Sequence, residues 1–548
     1  MKRINNYSLL TLLLCVASLN VHAQKDTLKK TTIDITSVYK PVLLPAVKIN
    51  LAATPVKADT SHPKLVYTLP TENLFFGYQP IPIEPVTVTP DSNLNMGSRN
   101  FIKAGLGNFS TALLSGGFSF GDGKKWLTNL YTDYRHSKGK IQYQKYSNLN
   151  IRASGSYFLP KNEAYGSVTI GATDYYLYGY DHAIYKYTKS DSLHYQLQDI
   201  TLKGGIRNTV VGDYGISYNP SMEINSFSNN NWLTENSLIL NAPVTKEFGE
   251  ALSLKVEAKA DMTLYHSWWR SPVNIKYHNN VFQLAPSLSY SSTQFTIHAG
   301  ITPTWNNGDF VWLPNVYGEA KIPGKIFVLQ AGWVGRYTKN TYRNLVAINP
   351  YIDPFSKVPN TREIEYYGGI KAKLGKHFAI NAKAGLVSFN NLPFFINDTA
   401  TDNKSFKLSN ESKLKDIRVH GDISYISQDK FSLNAGITFN GYTGMQNNAK
   451  AWNTVPMEIT GSLRWWAYKQ VLLKADFYAF AGGNYLEKGN IAGNFKPGTD
   501  FSAGTEFKFN KRFSAWLDVN NIFNNKYERW HNYPVYGLNL VAGVKMNF

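Results

Sequence analysis

The stretch ALSLKVEAKADMTLY, residues 251–265, decides the fold of this chain. Every even position from Leu252 to Leu264 carries an apolar side chain, and the odd positions from Ser253 to Thr263 carry polar or charged ones. Successive side chains of a strand point to opposite faces, so the stretch predicts a strand with one apolar and one charged side. The alternation lasts for more than ten residues, which is long enough for a tilted strand to cross a bilayer.

The same alternation returns from about Arg99 to the end of the chain. Very short connections such as 160–163 and 375–377 alternate with longer polar ones. The longer connections are 179–195, 339–361, 390–412 and 485–495. Short turns at one end and long loops at the other are typical of outer-membrane barrels. The pattern therefore predicts an all-β fold, a transmembrane antiparallel β-barrel of about 22 strands over residues 99–548, with 20 or 24 strands as alternatives.

A soluble β-sandwich is the alternative fold, because half-buried sheets also alternate. Sandwich strands average about 5 to 6 residues, however, and the strands of this chain are longer. The chain holds no run of 18 apolar residues, so a transmembrane helix is not predicted. The formal net charge of +19 is spread along alternating strands, which does not favour a nucleic-acid-binding surface. A bilayer crossed by strands requires the sheet to close on itself.

The N-terminal part divides into two segments. Residues 1–23 have a basic start, an apolar run that contains the only cysteine, Cys15, and a small-residue exit at Ala23, which predicts a secretory signal peptide. Residues 24–98 contain nine prolines. Because proline removes a backbone donor and fixes φ, this part predicts an extended periplasmic or lumenal segment.

The last residues alternate up to a terminal aromatic, with Val544, Met546 and Phe548 on the apolar face. Such an ending resembles the signal that the outer-membrane assembly machinery reads. The preceding segment 518–537, with its Asn-Ile-Phe step and its Tyr-Pro approach to the final strand, resembles the closing segment of TonB-dependent receptors. The resemblance implies a large outer-membrane barrel, embedded in lipid and concerned with nutrient uptake.

The chain departs from that family at its other end, because residues 24–98 are too few and too rich in proline for a folded plug domain. The stretch 31–38 weakly resembles the box by which such receptors contact TonB. The residues of this candidate partner box are Thr32, Ile33, Asp34, Ile35 and Thr36. A plain linker, or a strand that adds to a partner's sheet, is the alternative. An open barrel of this width would leak, so we expect the lumen to be filled by inward side chains, folded-in loops or part of residues 24–98.

Charged residues on the polar phase of the strands are predicted to line the lumen. They are Lys203, Arg207, Lys255, Glu257, Lys259, Asp261, Glu363, Glu365, Lys371, Lys373 and Lys383. One interpretation is a lumen that attracts anionic solutes or an anionic segment of a partner. The other is a set of cross-strand ion pairs that stiffen a wide barrel.

No catalytic, cofactor-binding or metal-binding motif stands in the sequence, so no enzyme, cofactor or metal site is predicted. Two functions remain. The first is solute uptake across the outer membrane. The second is a non-transporting barrel that serves as a subunit or scaffold of an outer-membrane complex and docks partners through residues 24–98. In both cases we expect an integral outer-membrane protein with its N-terminal segment and its C-terminus on the periplasmic side.

Overall fold

The computed structural model describes residues 100–231, 233–267, 275–324, 326–375, 377–427, 430–487 and 491–548. The predicted signal peptide and the proline-rich segment lie outside these residues. The strands are β1 (Phe101–Gly107), β2 (Thr111–Gly121), β3 (Trp126–Lys138), β4 (Lys145–Phe158), β5 (Asn162–Tyr176), β6 (His194–Asn208), β7 (Ile216–Tyr218), β8 (Ser221–Asn229), β9 (Leu233–Phe248), β10 (Leu252–Ser267), β11 (Lys276–Ser291), β12 (Phe295–Asn306), β13 (Asp309–Lys321), β14 (Phe327–Thr338), β15 (Thr361–Leu374), β16 (Phe378–Asn397), β17 (Phe406–Ser427), β18 (Phe431–Thr443), β19 (Met457–Tyr468), β20 (Val471–Ala481), β21 (Asn484–Glu487), β22 (Ile491–Asn494), β23 (Gly498–Lys508), β24 (Phe513–Asn520), β25 (Glu528–Trp530), β26 (Tyr533–Pro534) and β27 (Asn539–Asn547). Among the described residues, one α-helix, α1 (Tyr342–Ile348), and a 3₁₀ turn at Thr399–Thr401 lie in connections between strands. Within the described residues, no helix has the length and apolar character needed to span a membrane.

The strands form one closed antiparallel barrel. Each wall strand pairs with its neighbour along the chain, and β1 closes the wall against β27, from Phe101 opposite Asn547 to Gly107 opposite Val541. The short strands β7 and β8 form one interrupted wall strand, because both pair with β9 and are separated only by residues 219–220. The hairpins β21–β22 and β25–β26 stand apart from the wall. The wall therefore has 22 strands, and the predicted fold class and strand number are confirmed.

The outer surface of the wall is apolar. On β10, Leu254 and Val256 are each 37% exposed, and Lys255 and Glu257 between them occupy the opposite phase. Alternate residues of a barrel strand face outward and inward, so the apolar phase is the outer one. Exposed apolar side chains of this kind recur around the barrel, and such a continuous band requires lipid.

The two ends of the barrel differ as predicted. At the end that holds the C-terminus, strands are joined by short turns such as 159–161 and 469–470. At the other end, which we call the external mouth, long connections include 177–193, 339–360 and 521–538. The predicted long connection at 390–412 is shorter, because β16 and β17 continue past the wall as a projecting hairpin and only residues 398–405 join them.

Candidate functional site at the external mouth

Long connections from separate parts of the barrel fold inward and meet at the external mouth. Their buried aromatic side chains, together with inward residues of β5, β6 and β10, form one cluster that we call the tyrosine cap. Its tyrosines are Tyr175, Tyr178, Tyr180, Tyr195, Tyr265, Tyr342, Tyr351 and Tyr533. Smaller apolar residues of α1 and of the connection 177–193 fill the spaces between the rings. Folded-in loops, one of the predicted fillings of the lumen, therefore occupy the external mouth of this barrel.

The centre of the tyrosine cap is an aromatic stack between two connections. The rings of Tyr351 and Tyr533 stack with their centroids 3.5 Å apart, and the ring of Tyr178 meets that of Tyr533 edge-on at 4.8 Å. The hydroxyl of Tyr178 donates to the Pro534 carbonyl at 3.0 Å. The neighbouring Gly179 has to be glycine, because a Cβ there would lie 2.1 Å from the Tyr533 ring. Three connections are therefore interlocked at this point.

Charged side chains fasten the connection 339–360 to the inner wall. The ammonium of Lys339 contacts the Asp261 carboxylate on β10. The guanidinium of Arg343 donates from Nε to Asp199 on β6 at 2.8 Å. The carboxylate of Glu235 on β9 accepts the backbone N–H of Arg343 at 3.2 Å, at the N-terminus of α1. We call these five residues the latch, and their contacts hold α1 against three wall strands.

The local sequence explains why the connection folds in this way. Thr341 caps α1, because its hydroxyl accepts the Asn344 backbone N–H at 3.2 Å. The two ends of the connection are tied by buried asparagines, since the Asn340 backbone N–H donates to Asn360 Oδ1 at 3.0 Å. Asn360 in turn is bound to Asn279 on β11. The base of the connection is therefore fixed, and α1 is presented to the latch carboxylates.

Burial in the tyrosine cap shifts two ionisable loop groups. Burial lowers the pKa of the Lys339 ammonium, and the nearby Asp261 carboxylate opposes that shift. Burial raises the pKa of Asp353 to about 6, although a hydrogen bond from the Ser405 hydroxyl acts in the opposite direction. The raised pKa of Asp353 predicts that the cap is sensitive to pH.

A second connection, 444–456, is held by one carboxylate. Glu411 on β17 accepts backbone N–H groups of Gln446 at 2.7 Å, Asn447 at 3.1 and 3.0 Å, and Asn448 at 2.9 Å. Further along the connection, Trp452 is buried in an apolar cluster on the inner side of β16 and β17. This connection also lies folded against the wall.

The inner wall below the mouth carries a buried charge network. Arg336 on β14 donates to both Glu363 and Glu365 on β15, each at 2.9 Å. Arg418 on β17 reaches Glu363 at 2.6 Å and Asp416 at 3.4 Å. Glu363 and Glu365 stand among the predicted lumen residues, whereas the two arginines were missed. Each arginine lies on the inward phase of its strand, as many other residues do. Only the pairing register of the neighbouring strands brings it beside the glutamates.

Most of the other predicted lumen residues are also paired. The ion pairs are Lys203 with Glu223 at 3.7 Å, Arg207 with Glu163 at 2.7 Å, Lys255 with Glu257 at 2.7 Å, Lys371 with Glu319 at 2.5 Å, and Asp261 with Lys339. The ammonium of Lys383 lies 4.9 Å from the centroid of the Tyr367 ring. Within the described residues, Lys259 and Lys373 have no carboxylate at ion-pair distance. The arrangement favours the ion-pair interpretation over a freely accessible cationic lumen.

The remaining predicted residues lie elsewhere. Val544, Met546 and Phe548 are exposed on the outer, apolar phase at the end of the wall. Thr32, Ile33, Asp34, Ile35 and Thr36 lie outside the described residues. Tyr536 precedes the last strand, since β27 begins only at Asn539, and its side chain is buried at the mouth against Phe109.

Comparisons with known proteins identify the fold. No known family and no curated protein matches the sequence. Solved structures do match. The FrpB iron transporter from Neisseria meningitidis aligns with a TM-score of 0.62 and 10% identity over 83% of this chain and 82% of its own. The pyoverdine receptor FpvA from Pseudomonas aeruginosa aligns with a TM-score of 0.62 and 11% identity over 82% of this chain and 78% of its own. The ferric-catecholate import receptor Fiu from E. coli aligns with a TM-score of 0.61 and 9% identity over 83% of this chain and 82% of its own.

These structures are described as transporters and receptors, and they share with this chain a large closed barrel. Together with the apolar band around the wall, they establish the class of protein: an integral outer-membrane barrel with the fold of TonB-dependent receptors. The family resemblance at residues 518–537 predicted this fold, and the prediction is confirmed. At identities near 10%, the likeness defines the architecture.

Proposed function

We propose that the protein takes up a solute across the outer membrane and that the tyrosine cap is the gate at its external mouth. The observation that carries this proposal is that connections from separate parts of the barrel are joined at the external mouth by non-covalent contacts alone. Connections held by aromatic packing and a few ion pairs can separate without disturbing the barrel strands. A solute would then pass along an inner wall whose charges are fixed in pairs.

The similar structures suggest which solutes to test first. They are described as an iron transporter, a ferric-catecholate import receptor and a pyoverdine receptor. Iron chelates are therefore the first candidate substrates. If uptake is energised from the periplasm, the box at Thr32, Ile33, Asp34, Ile35 and Thr36 is the candidate contact with TonB, and residues 24–98 replace a plug domain. In this proposal the N-terminal segment and the C-terminus lie on the periplasmic side.

Growth of deletion strains tests the proposal. A strain that lacks residues 31–38 is compared with one that lacks residues 71–78, a deletion of equal length in the same segment. We expect only the first deletion to abolish growth when an iron chelate, or another single nutrient from a panel, is limiting. Immunoblots of outer membranes confirm that both proteins are present. Normal growth of the first strain on every nutrient would refute energised uptake.

A second function is a non-transporting barrel subunit of an outer-membrane complex. The nine prolines of residues 24–98 favour it, since an extended segment is suited to docking a periplasmic partner. Purification in mild detergent through a tag in the connection 177–193 distinguishes the two functions. A stoichiometric set of outer-membrane proteins that is lost on deletion of residues 24–98 would favour the complex. Recovery of the protein alone, or with TonB, would favour uptake.

A further inference from the structure

The outer face of the wall carries a compact group of cations just above the apolar band. Arg362 lies near the start of β15, and Lys413 and Lys415 lie on β17. All three side chains are on the outward-facing side of their strands. Toward the membrane, the same side carries Tyr366 on β15 and Ile417 on β17. Tyr366 and Ile417 are 53% and 51% exposed. We call the three cations the outer cationic patch.

The strand register brings these cations together. Arg362 pairs with Asn390 on β16, and Asn390 pairs with Lys413 on β17, so the two cations flank one residue. Two strand spacings separate their Cα atoms by about 10 Å, and Lys415 lies about 7 Å further along β17. The Asn390 side-chain oxygen accepts Arg362 Nη2 at 2.8 Å and Nε at 3.3 Å. These bonds orient the guanidinium and leave further N–H donors for a ligand.

The outer cationic patch lacks carboxylate partners. Within the residues that the structure describes, no Asp or Glu lies at ion-pair distance from its three side chains. Two acids flank it along β17, and the oxygens of the first, Glu411, are occupied by the backbone N–H groups of residues 446–448. Asp416 points to the inner side, where it meets Arg418. The contrast with the inner wall is clear, because most lumenal cations are paired there.

The surface directly below the patch suits acyl chains. Trp333 and Tyr366 stack with centroids 5.6 Å apart and an interplanar angle of 9°. Leu386 beside them is 62% exposed, and Ile417 continues the same row. Trp and Tyr favour the depth of the lipid headgroups, so cations above them stand at the level of phosphates. Lys and Arg at this depth attract anionic headgroups.

We propose that the outer cationic patch binds the phosphate of a lipid in the outer leaflet. The phosphate contacts Arg362, Lys413 and Lys415, with the Asn390 amide as a neutral donor. The acyl chains lie on Leu386 and Ile417 beside the stacked rings. Phosphate accepts several charge-assisted hydrogen bonds at once, which explains why three cations converge here without carboxylates. The site is independent of solute uptake, since it lies on the lipid side of the wall.

Native mass spectrometry of the purified barrel tests this site. The probes are phosphatidic acid, phosphatidylcholine with the same acyl chains, and inorganic phosphate. The variant R362Q/K413Q/K415Q is compared with K469Q/K511Q/R512Q, which removes three exposed cations from the periplasmic turns. We expect the first variant to retain phosphatidic acid at least about tenfold less well than the native protein, because each cation near a headgroup contributes severalfold. The second variant should bind it normally, and phosphatidylcholine, whose choline cation offsets the charge of its phosphate, should show a smaller difference between the native protein and the first variant.

Three results would overturn the proposal: unchanged binding in the first variant, equal loss in both variants, and complete displacement of the lipid by millimolar inorganic phosphate. Equal loss would mean that only net charge matters. Displacement by phosphate would mean that the site takes a free anion and that the acyl surface contributes nothing. The mobility shift on heating in detergent reports whether each barrel is folded. If the triple variant does not fold, the single variant K415Q is measured against K511Q by the same criteria.

Discussion

Replacing Lys339 by Met is expected to loosen the connection 339–360 while the barrel wall stays intact. The side chains of Lys339 and Asp261 are only 8% and 16% exposed, so the variant leaves a nearly buried carboxylate without its cation. Removal of one partner from a buried pair costs about 3 kcal/mol. At about 1.4 kcal/mol for each tenfold change, local opening should become about 100-fold more frequent. Arg343 and Asp199 are about one-third exposed, and solvent screening makes Arg343→Ala a weaker change, of about 1 kcal/mol or less.

Hydrogen exchange measured by mass spectrometry checks this expectation on peptides that cover 339–360. The control is Lys371→Met, which removes an ion pair with Glu319 on the wall strands and should leave the exchange of this connection unchanged. Adding Asp261→Asn to Lys339→Met should restore much of the protection, because it removes the uncompensated charge. If Lys339→Met leaves exchange in 339–360 at the native rate, the latch does not hold the connection and the reasoning fails.

Three further outcomes are expected. Glu411→Gln removes a charged acceptor of several backbone N–H groups and should destabilise the connection 444–456 by about 2 kcal/mol, seen as faster proteolysis there and not in 177–193. The pKa of Asp353 rises from an ordinary 3.8 to about 6 in the closed cap, so the protonated carboxyl stabilises the closed cap. This stabilisation is complete below about pH 4 and is lost as the pH rises through about 6. Exchange in the cap, corrected for its intrinsic pH dependence, should increase over that range, and Asp353→Asn should abolish the increase. Phe548→Ser should lower the amount of folded barrel in outer membranes, measured by heat-shifted gel mobility, whereas Phe509→Ser in a periplasmic turn should not.

The sequence predicts the wall well because its determinants are local. The period of two along each strand identifies the side chains that face lipid. Few polar side chains occur on a lipid-facing surface, so the inner and outer faces of segments such as 251–265 can be assigned from sequence. The strand number follows from counting those segments and their turns. Lumenal charges such as Glu363 could be assigned to the inner phase for the same reason. Their partners could not, because pairing depends on which strands are neighbours and on their stagger.

The tyrosine cap was beyond sequence reasoning, apart from the expectation that loops fold in. Its contacts join residues far apart in the chain: Tyr178 donates to the carbonyl of Pro534, 356 positions away. A tyrosine in an external loop has the same local pattern whether it packs in a cap or faces water. The requirement for glycine at position 179 could not be predicted from the local sequence either, because it arises only from the nearby Tyr533 ring. Long-range packing of irregular segments has no periodicity to reveal it.

The latch determines what an opened mouth would present to a solute. In the closed cap, Lys339 and Arg343 neutralise carboxylates on the inner wall. Under the proposed function, a movement of the connection 339–360 away from the wall would remove both cations and leave Asp199, Glu235 and Asp261 on β6, β9 and β10. If the tyrosine cap is the gate, its opening would make this part of the lumen more acidic, because the cations belong to the connection and the carboxylates to the wall. Among the candidate iron chelates, the opened mouth would favour those that carry a cationic group over anionic ones, although the chain as a whole carries a net charge of +19.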